Sequence, residues 1–284
     1  MEPPSRFAAV GKAVAIAAIF VVVVYPFLAV VATSLSTEAD ITKAGGLVIW
    51  PPHPTLAAYR TVLSGGIVTQ ALVVSLGITV VGSLLSVAAT VGMAYGLSRR
   101  DVVGGRFFLV TALFTMLFSP GIIPSFLAVK QLGLLNSFAS LILPSLVSAF
   151  NLIVLRSFFM NIPDELYDAA RIDGAGDFRI LVRLVLPLSK GVLAVVGLFY
   201  AVGYWNAFFN AMLYLNDDSK WPLALVLRAF VTQGDSISAG SEGIVPQQAI
   251  QMAVVVVSVV PITLVYPFLQ RFFTKGVLSG AVKG

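Results

Sequence analysis

Few residues in this 284-residue chain are of types that do covalent chemistry, and their spacing excludes most of it. His53, the only histidine, sits in the extended stretch Trp50-Pro51-Pro52-His53-Pro54. It reads as a solvated loop residue without a partner, and a Ser/His/Asp triad has no place to form around it. The chain has no cysteine, which rules out disulfides, thiolate metal sites and cysteine nucleophiles. Asp217, Asp218, Asp235 and Glu242 scatter among Gly and Ser without the spacing of a cation-binding loop. Gly11-Lys12 is followed by Ala13 at the start of an apolar run, so a phosphate-cradling G-x-x-x-x-G-K-[S/T] loop is absent. These observations assign no catalytic and no metal-binding residue, and the chain is not expected to be an enzyme.

The patterned residues lie elsewhere, in the segment 161–188. Asn161-Ile162-Pro163-Asp164-Glu165 reads as a helix start, with proline in the first turn and two acids near the positive end of the dipole. Ile162, Leu166, Ala169 and Ala170 recur at helical spacing and give one small apolar face. Gly174 and Gly176 supply a break where the backbone turns with positive φ. Asp177 then reads as the cap of a second helix whose Ile180, Leu181, Leu184 and Val185 point one way, closed by Pro187. A helix lying on a membrane surface would set bulky hydrophobes against Lys and Arg. An acidic helix with an alanine face suits close approach of another protein better, although a passive surface helix is the other reading.

The elements that position this segment follow from composition. The chain is 58% hydrophobic and 11% charged, with a mean hydropathy of +0.96. A soluble domain carries about 25% charged residues. Spanning the roughly 30 Å of bilayer hydrocarbon takes about 20 apolar residues as a helix. Stretches near 13–33, 71–97, 107–129, 137–155, 191–215 and 252–269 meet that length and carry no charged side chain. The expected fold is an all-α integral membrane protein of about six transmembrane helices, a single domain over 1–284. Pro26, Pro120, Pro124, Pro144 and Pro261 read as kinks.

Orientation follows from Lys and Arg. With an even number of spans, only Lys43, Arg60, Lys130, Lys220 and Arg228 of the 18 basic residues fall on the side opposite the termini. The positive-inside rule therefore puts both termini and the 161–188 segment in the cytoplasm. The net charge of +5 is a topology signal, with nucleic acid not implied. The segments 34–70 and 216–251 become long outer loops.

Asp168-Ala169-Ala170-Arg171-Ile172-Asp173-Gly174-Ala175, followed by Leu186-Pro187-Leu188, resembles the EAA motif of ABC importer permeases, with the spacing of the sugar-type version. Asp168 stands where Glu is usual, and Leu181 where Phe is common. Leu132-Gly133-Leu134-Leu135-Asn136-Ser137 resembles the family's outer turn. The end of the chain, from Gln270-Arg271-Phe272-Phe273 through Gly280-Ala281-Val282-Lys283-Gly284, resembles the tail of maltose-type permeases.

This resemblance implies a permease subunit of a binding-protein-dependent sugar importer in the bacterial cytoplasmic membrane. It implies coupling to a cytoplasmic ATPase through Asp168, Ala169, Ala170, Asp173, Gly174, Ala175 and Pro187. The implied partners are two copies of that ATPase, a second permease, an external solute-binding protein, the sugar and the lipid bilayer. The chain would bind no cofactor itself, ATP and Mg²⁺ being used by the ATPase.

Tyr204, Trp205, Asn206 and Asn210 are the candidates for a substrate path. Aromatic faces stack on sugar rings and amides bond hydroxyls, although the same four residues also suit helix packing. Tyr204-Trp205-Asn206, Asn216-Asp217-Asp218 and Trp221-Pro222-Leu223 look like a subgroup that handles oligosaccharides. Rival readings are an ABC importer for a non-sugar solute and an ion-coupled secondary transporter. The latter class usually keeps charged residues within its spans, and none falls within these.

Overall fold

Apolar runs of this length satisfy their backbone only as helices, because hydrocarbon offers no hydrogen-bond partners. The computed structural model describes residues 6–99, 102–233 and 246–281, and the regular elements among them are all helical. They are α1 (Arg6–Ser34), α2 (Glu38–Lys43), α3 (Ala57–Leu63), α4 (Ile67–Ser98), α5 (Gly105–Leu117), α6 (Ile122–Gln131), α7 (Ala139–Ile142) and α8 (Ala149–Met160). The series continues with α9 (Asp164–Ile172), α10 (Asp177–Ile180), α11 (Leu186–Leu188), α12 (Lys190–Trp205), α13 (Phe208–Tyr214), α14 (Leu223–Gln233) and α15 (Gln247–Ala281). Asp235 and Glu242 lie outside the described residues, as do residues 282–284 of the maltose-type tail.

Three helical stretches are long and apolar enough to cross a membrane: Val14–Ser34, Ile67–Ser98 and Gln247–Pro267. Two bent pairs meet the same test together, Ala139–Ser145 with Ala149–Met160 at 49° and Asp177–Leu188 with Lys190–Trp205 at 86°. Gly105–Leu117 is a shorter apolar helix.

The middle apolar runs thus differ from unbroken spans, for local reasons. The run 107–129 is cut between α5 and α6, where Phe118 turns extended and Gly121 adopts φ 84°, ψ 178°. Pro120 cannot donate to the ladder there, and only glycine takes the Gly121 conformation without strain. The run 137–155 breaks after a 3₁₀ turn containing Pro144, and restarts at Ser148, whose hydroxyl caps α8. The run 191–215 breaks at Asn206–Ala207 between α12 and α13.

The described residues form two compact units. The first contains 6–70 with 226–233 and 246–260. In it the C-terminal end of α1 meets the following loop: Thr33 Oγ1 accepts the Val48 N–H at 2.9 Å, and Ser34 Oγ lies 2.7 Å from the Tyr59 hydroxyl. His53 does have a partner, since its Nδ1 lies 3.2 Å from Asp40 Oδ1. The two are 13 residues apart, a pairing created by the fold of the loop around α2. The middle of α1 is apolar and outward: Phe20 is 65% and Val22 72% exposed, a surface suited to lipid.

The second unit contains 71–99, 102–225 and 261–281. Its core gathers Leu152, Leu155 and Phe159 of α8, Ile180 and Val185, Val196 of α12 and Ala94 of α4. Within the 161–188 segment, two details differ from the sequence expectation. Gly176 has φ −74° and precedes α10 in an extended conformation, so Gly174 alone takes positive φ. Asp177 is the first residue of α10 and does not cap it. Pro187 does not end the element either. It lies inside α11, after a π-helical turn over Leu181–Val185, and the chain bends at Ser189.

Candidate functional site

The 161–188 segment is built as an exposed edge on a buried base. Pro163 precedes α9, Asp164 and Glu165 occupy its first turn and Arg171 its last, each charge matching the helix dipole. Gly174, at φ +75°, ends the helix: Ala175 N–H bonds Ala170 O at 2.9 Å and Gly174 N–H bonds Arg171 O at 3.0 Å. This glycine-terminated closure satisfies carbonyls that the helix end leaves free.

Asp168, Ala169, Asp173, Gly174 and Pro187 are exposed, whereas Ala170 and Ala175 are half-buried against the core. The base is Ile162, Tyr167, Ile180 and Val185, all buried. On the open side stand two residues that the spacing argument passed over, Ile172 at 86% and Phe178 at 80% exposed, and Leu166 of the expected apolar face is exposed as well. Two large apolar side chains this open flank an acidic turn, an arrangement of the kind that marks interaction surfaces.

Arg99, at the C-terminal end of α4, ties this segment down. Its guanidinium carbon lies 4.7 Å from the Tyr95 ring centre and 4.1 Å from the Tyr167 ring centre. It also donates to the Tyr95 hydroxyl and lies 3.7 Å from Asp177 Oδ1. The Tyr95 hydroxyl in turn donates to Asp177 O at 3.2 Å. Burial pushes the Tyr167 phenol above its ordinary pKa, opposed in part by the Arg99 charge, so the group stays a neutral donor to Phe159 O. Arg156 of α8 donates from Nε to Leu97 O at 2.8 Å, placing a cation at the negative end of α4. In the sequence, Arg99 and Arg156 carried only an orientation signal.

Deeper in the same unit, two tyrosines one turn apart on α12 join α4 to the broken α7–α8 region. The Tyr200 hydroxyl lies 2.7 Å from Thr90 Oγ1 and accepts the Ser148 N–H at 2.8 Å. The Tyr204 hydroxyl lies 2.7 Å from Ser86 Oγ and 3.3 Å from Ile142 O. These bonds serve backbone groups that the break at 146–148 would otherwise leave free.

Tyr204, Asn206 and Asn210 all line one cavity of about 560 Å³, together with Ser145, Ser148, Asn151 and the rings of Phe150, Phe199 and Phe209. Its mix of aromatic rings with neutral amides and hydroxyls can stack on and hydrogen-bond a polyhydroxylated ligand. The four candidates are not equivalent within it. Tyr204 is buried with its hydroxyl engaged, and Asn206 Nδ2 donates to Val202 O at 2.9 Å. Trp205 points away, onto a separate apolar cavity of about 480 Å³ lined by Leu76, Leu84, Leu198, Pro261 and Tyr266. Asn151 of α8 was not singled out by the sequence, because one asparagine in an apolar run is equally an interhelical packing residue.

The motifs at 132–137 and 216–218 are one structure. Asn136, at φ 57°, receives the Asn216 and Asp217 N–H groups on Oδ1 at 3.3 and 3.1 Å, and its own N–H bonds Tyr214 O at 2.7 Å. Asparagine tolerates the left-handed region better than most residues. Asp217 caps a 3₁₀ turn through Ser219, whose hydrogen bonds hold its carboxyl below the ordinary carboxylate value. No cluster of potential metal ligands occurs among the described residues.

Comparison with known proteins adds to this geometry. Residues 82–279 match the family model described as binding-protein-dependent transport system inner membrane component. The chain is 47% identical over 266 residues to a polygalacturonan/rhamnogalacturonan transport system permease protein of Bacillus subtilis, covering 92% of this chain and 93% of that one. It is 31% identical to a diacetylchitobiose uptake system permease protein of Streptomyces coelicolor, over 98% and 90% of the two chains. Among solved structures, a chain of a bacterial ABC transporter involved in import of the acidic polysaccharide alginate superposes with a TM-score of 0.88 at 30% identity. That match covers 96% of this chain and all of the other.

Proposed function

The chain belongs to the family of binding-protein-dependent transport system inner membrane components, and from that premise we propose that it is one half of the pore of an ATP-driven oligosaccharide importer. Relatives named for polygalacturonan and diacetylchitobiose transport support the substrate class, as does the ring-and-amide lining of the 560 Å³ cavity.

In this reading the 161–188 segment is the lever gripped by a cytoplasmic ATPase. Asp168, Ala169, Asp173 and Gly174 form its exposed edge, Ala170 and Ala175 its close-packed shoulder, and Pro187 its link to α12. Ile172 and Phe178 are the apolar anchors that enter the ATPase. ATP and Mg²⁺ act in that partner, of which two copies serve this chain and a second permease. ATP-driven closure of the pair pulls the lever, and the pore changes the side to which it opens.

Both termini are cytoplasmic, and the segments 34–70 and 216–251 face an external solute-binding protein. The sugar path runs past Asn210 and Asn206, with Tyr204 behind them as a latch.

The observation that carries this reading is the acidic glycine turn presented with Ile172 and Phe178 open beside it. The test is ATP hydrolysis by the co-purified complex in proteoliposomes. Hydrolysis should rise when binding protein and oligosaccharide are both added. Sugar uptake that proceeds without an ATPase subunit would sink it.

A further inference from the structure

One guanidinium at the end of α4 touches both arms of the helix–turn–helix. Tyr95 belongs to α4, Tyr167 to α9 and Asp177 to α10, and Arg99 contacts all three. It is four-fifths buried, and its Nε has no hydrogen-bond partner. A plane held between two rings is a geometry that Arg takes and Lys does not.

The contacts continue along the same helix. Nine residues before Arg99, Thr90 meets the Tyr200 hydroxyl, and one turn further Ser86 meets that of Tyr204. Both tyrosines line the 560 Å³ cavity. A rigid helix therefore joins the guanidinium at one end to the cavity wall at the other. By contrast, the direct covalent route from α10 to α12 passes through a π-helical turn and an 86° bend at Ser189, whose buried hydroxyl lacks a partner. That route is the more compliant of the two.

We propose that Arg99 is the positioning residue that transmits motion of the 161–188 segment to α4, and through α4 to the cavity. The proposal rests on the reading of that segment as the ATPase lever. A push on α9 or α10 reaches α4 through the stacked rings and the Asp177 contact. Removing the guanidinium leaves the exposed edge intact for the ATPase to grip but lets the segment rock on its base. Hydrolysis then continues while the cavity no longer follows it.

The experiment compares the parent complex with Arg99→Gln, Tyr167→Leu and Tyr167→Phe in proteoliposomes, measuring sugar uptake per ATP hydrolysed and the amount of ATPase subunit that co-purifies. Arg99→Gln and Tyr167→Leu should retain the ATPase subunit and lose about tenfold in uptake per ATP, within the range typical of coupling between sites. Tyr167→Phe, which keeps the ring, should stay near the parent ratio. A merely structural role would lower uptake and hydrolysis together and leave their ratio unchanged, which overturns the proposal. If Arg99→Gln fails to accumulate, Tyr167→Leu against Tyr167→Phe decides alone: equal ratios overturn it. Failure of the lever reading itself is distinguishable, because the ATPase subunit would then leave a thiol introduced by Asp173→Cys unprotected in the parent background.

Discussion

The Tyr204 ring lies against Gly82 so closely that a Cβ on Gly82 would sit 2.9–3.0 Å from three of its carbons. That ring cannot swing aside, since its hydroxyl is held by Ser86 and Ile142 on two other elements. Glycine is needed here for space, because its backbone is ordinary helix. Gly82→Ala should destabilise the detergent-purified protein by about 1–3 kcal/mol, the usual cost of overpacking, read as a lower midpoint of unfolding. A midpoint equal to the parent's would mean that α4 and α12 do not pack this way.

Tyr204→Phe separates packing from substrate contact. Losing the hydroxyl strands a buried serine and a carbonyl, at a cost of about 1–3 kcal/mol. Stability should fall while the concentration dependence of uptake stays unchanged. A selective loss of sugar affinity with full stability would return Tyr204 to the substrate path.

Gly174 has the opposite constraint to Gly82. A side chain there meets no atom within 4 Å, but the φ of +75° costs an L-residue about 1–2 kcal/mol. Gly174→Asp should insert into the membrane normally and uncouple ATP hydrolysis from uptake, as measured in vesicles. Normal uptake would remove the turn from the coupling mechanism.

Ile172→Ser and Phe178→Ser change side chains that are almost wholly open. Both variants should match the parent in unfolding midpoint, to within about 0.5 kcal/mol. Both should retain less ATPase subunit on co-purification. Full retention by the double variant would mean that the apolar anchors lie elsewhere.

The loop around α2 carries a pH prediction. The Thr37 hydroxyl donates to Asp40 Oδ2 at 2.8 Å and, followed by His53, holds that carboxyl below its ordinary value of 3.8 against the opposing effect of burial. A carboxyl lowered on folding contributes stability above its unfolded value, and loses it as the pH falls through the folded one. Protection of α2 amides from hydrogen exchange, expressed as protection factors, should hold at pH 6 and drop below about pH 3.8. Asp40→Asn should lack protection at both. Protection factors independent of pH would show that the Thr37–Asp40–His53 arrangement does not hold α2.

The long spans were legible because length and apolarity suffice for a helix, as in the runs that became α1, α4 and α15. The breaks inside the other runs were not. No charged residue interrupts the runs at Phe118–Gly121 or Leu146–Ser148, and what stabilises the second break is a hydroxyl from Tyr200, 52 residues away. Pro120 and Pro144 marked both places, but proline alone does not distinguish a kink from a break. The helix start at Asp164 and the turn at Gly174 were written locally, in charges and in glycine. The Arg99 stack was not, since Tyr95, Tyr167 and Asp177 come together only in the fold, and Arg99 read as one basic residue among many at a helix end. The partner of His53 was illegible for the same reason, since Asp40 lies 13 residues away, whereas the side chain is solvated in its loop as expected.

The natural absence of cysteine allows the most direct test. Asp173→Cys places a single thiol on the exposed turn, and its reaction with a membrane-impermeant maleimide reports which side that turn occupies and what covers it. In intact cells the thiol should be unreactive. In inverted vesicles stripped of the ATPase subunit it should react, and adding that subunit back should protect it. Labelling in intact cells, or equal labelling with and without the ATPase, would contradict the assignment of this segment as the lever.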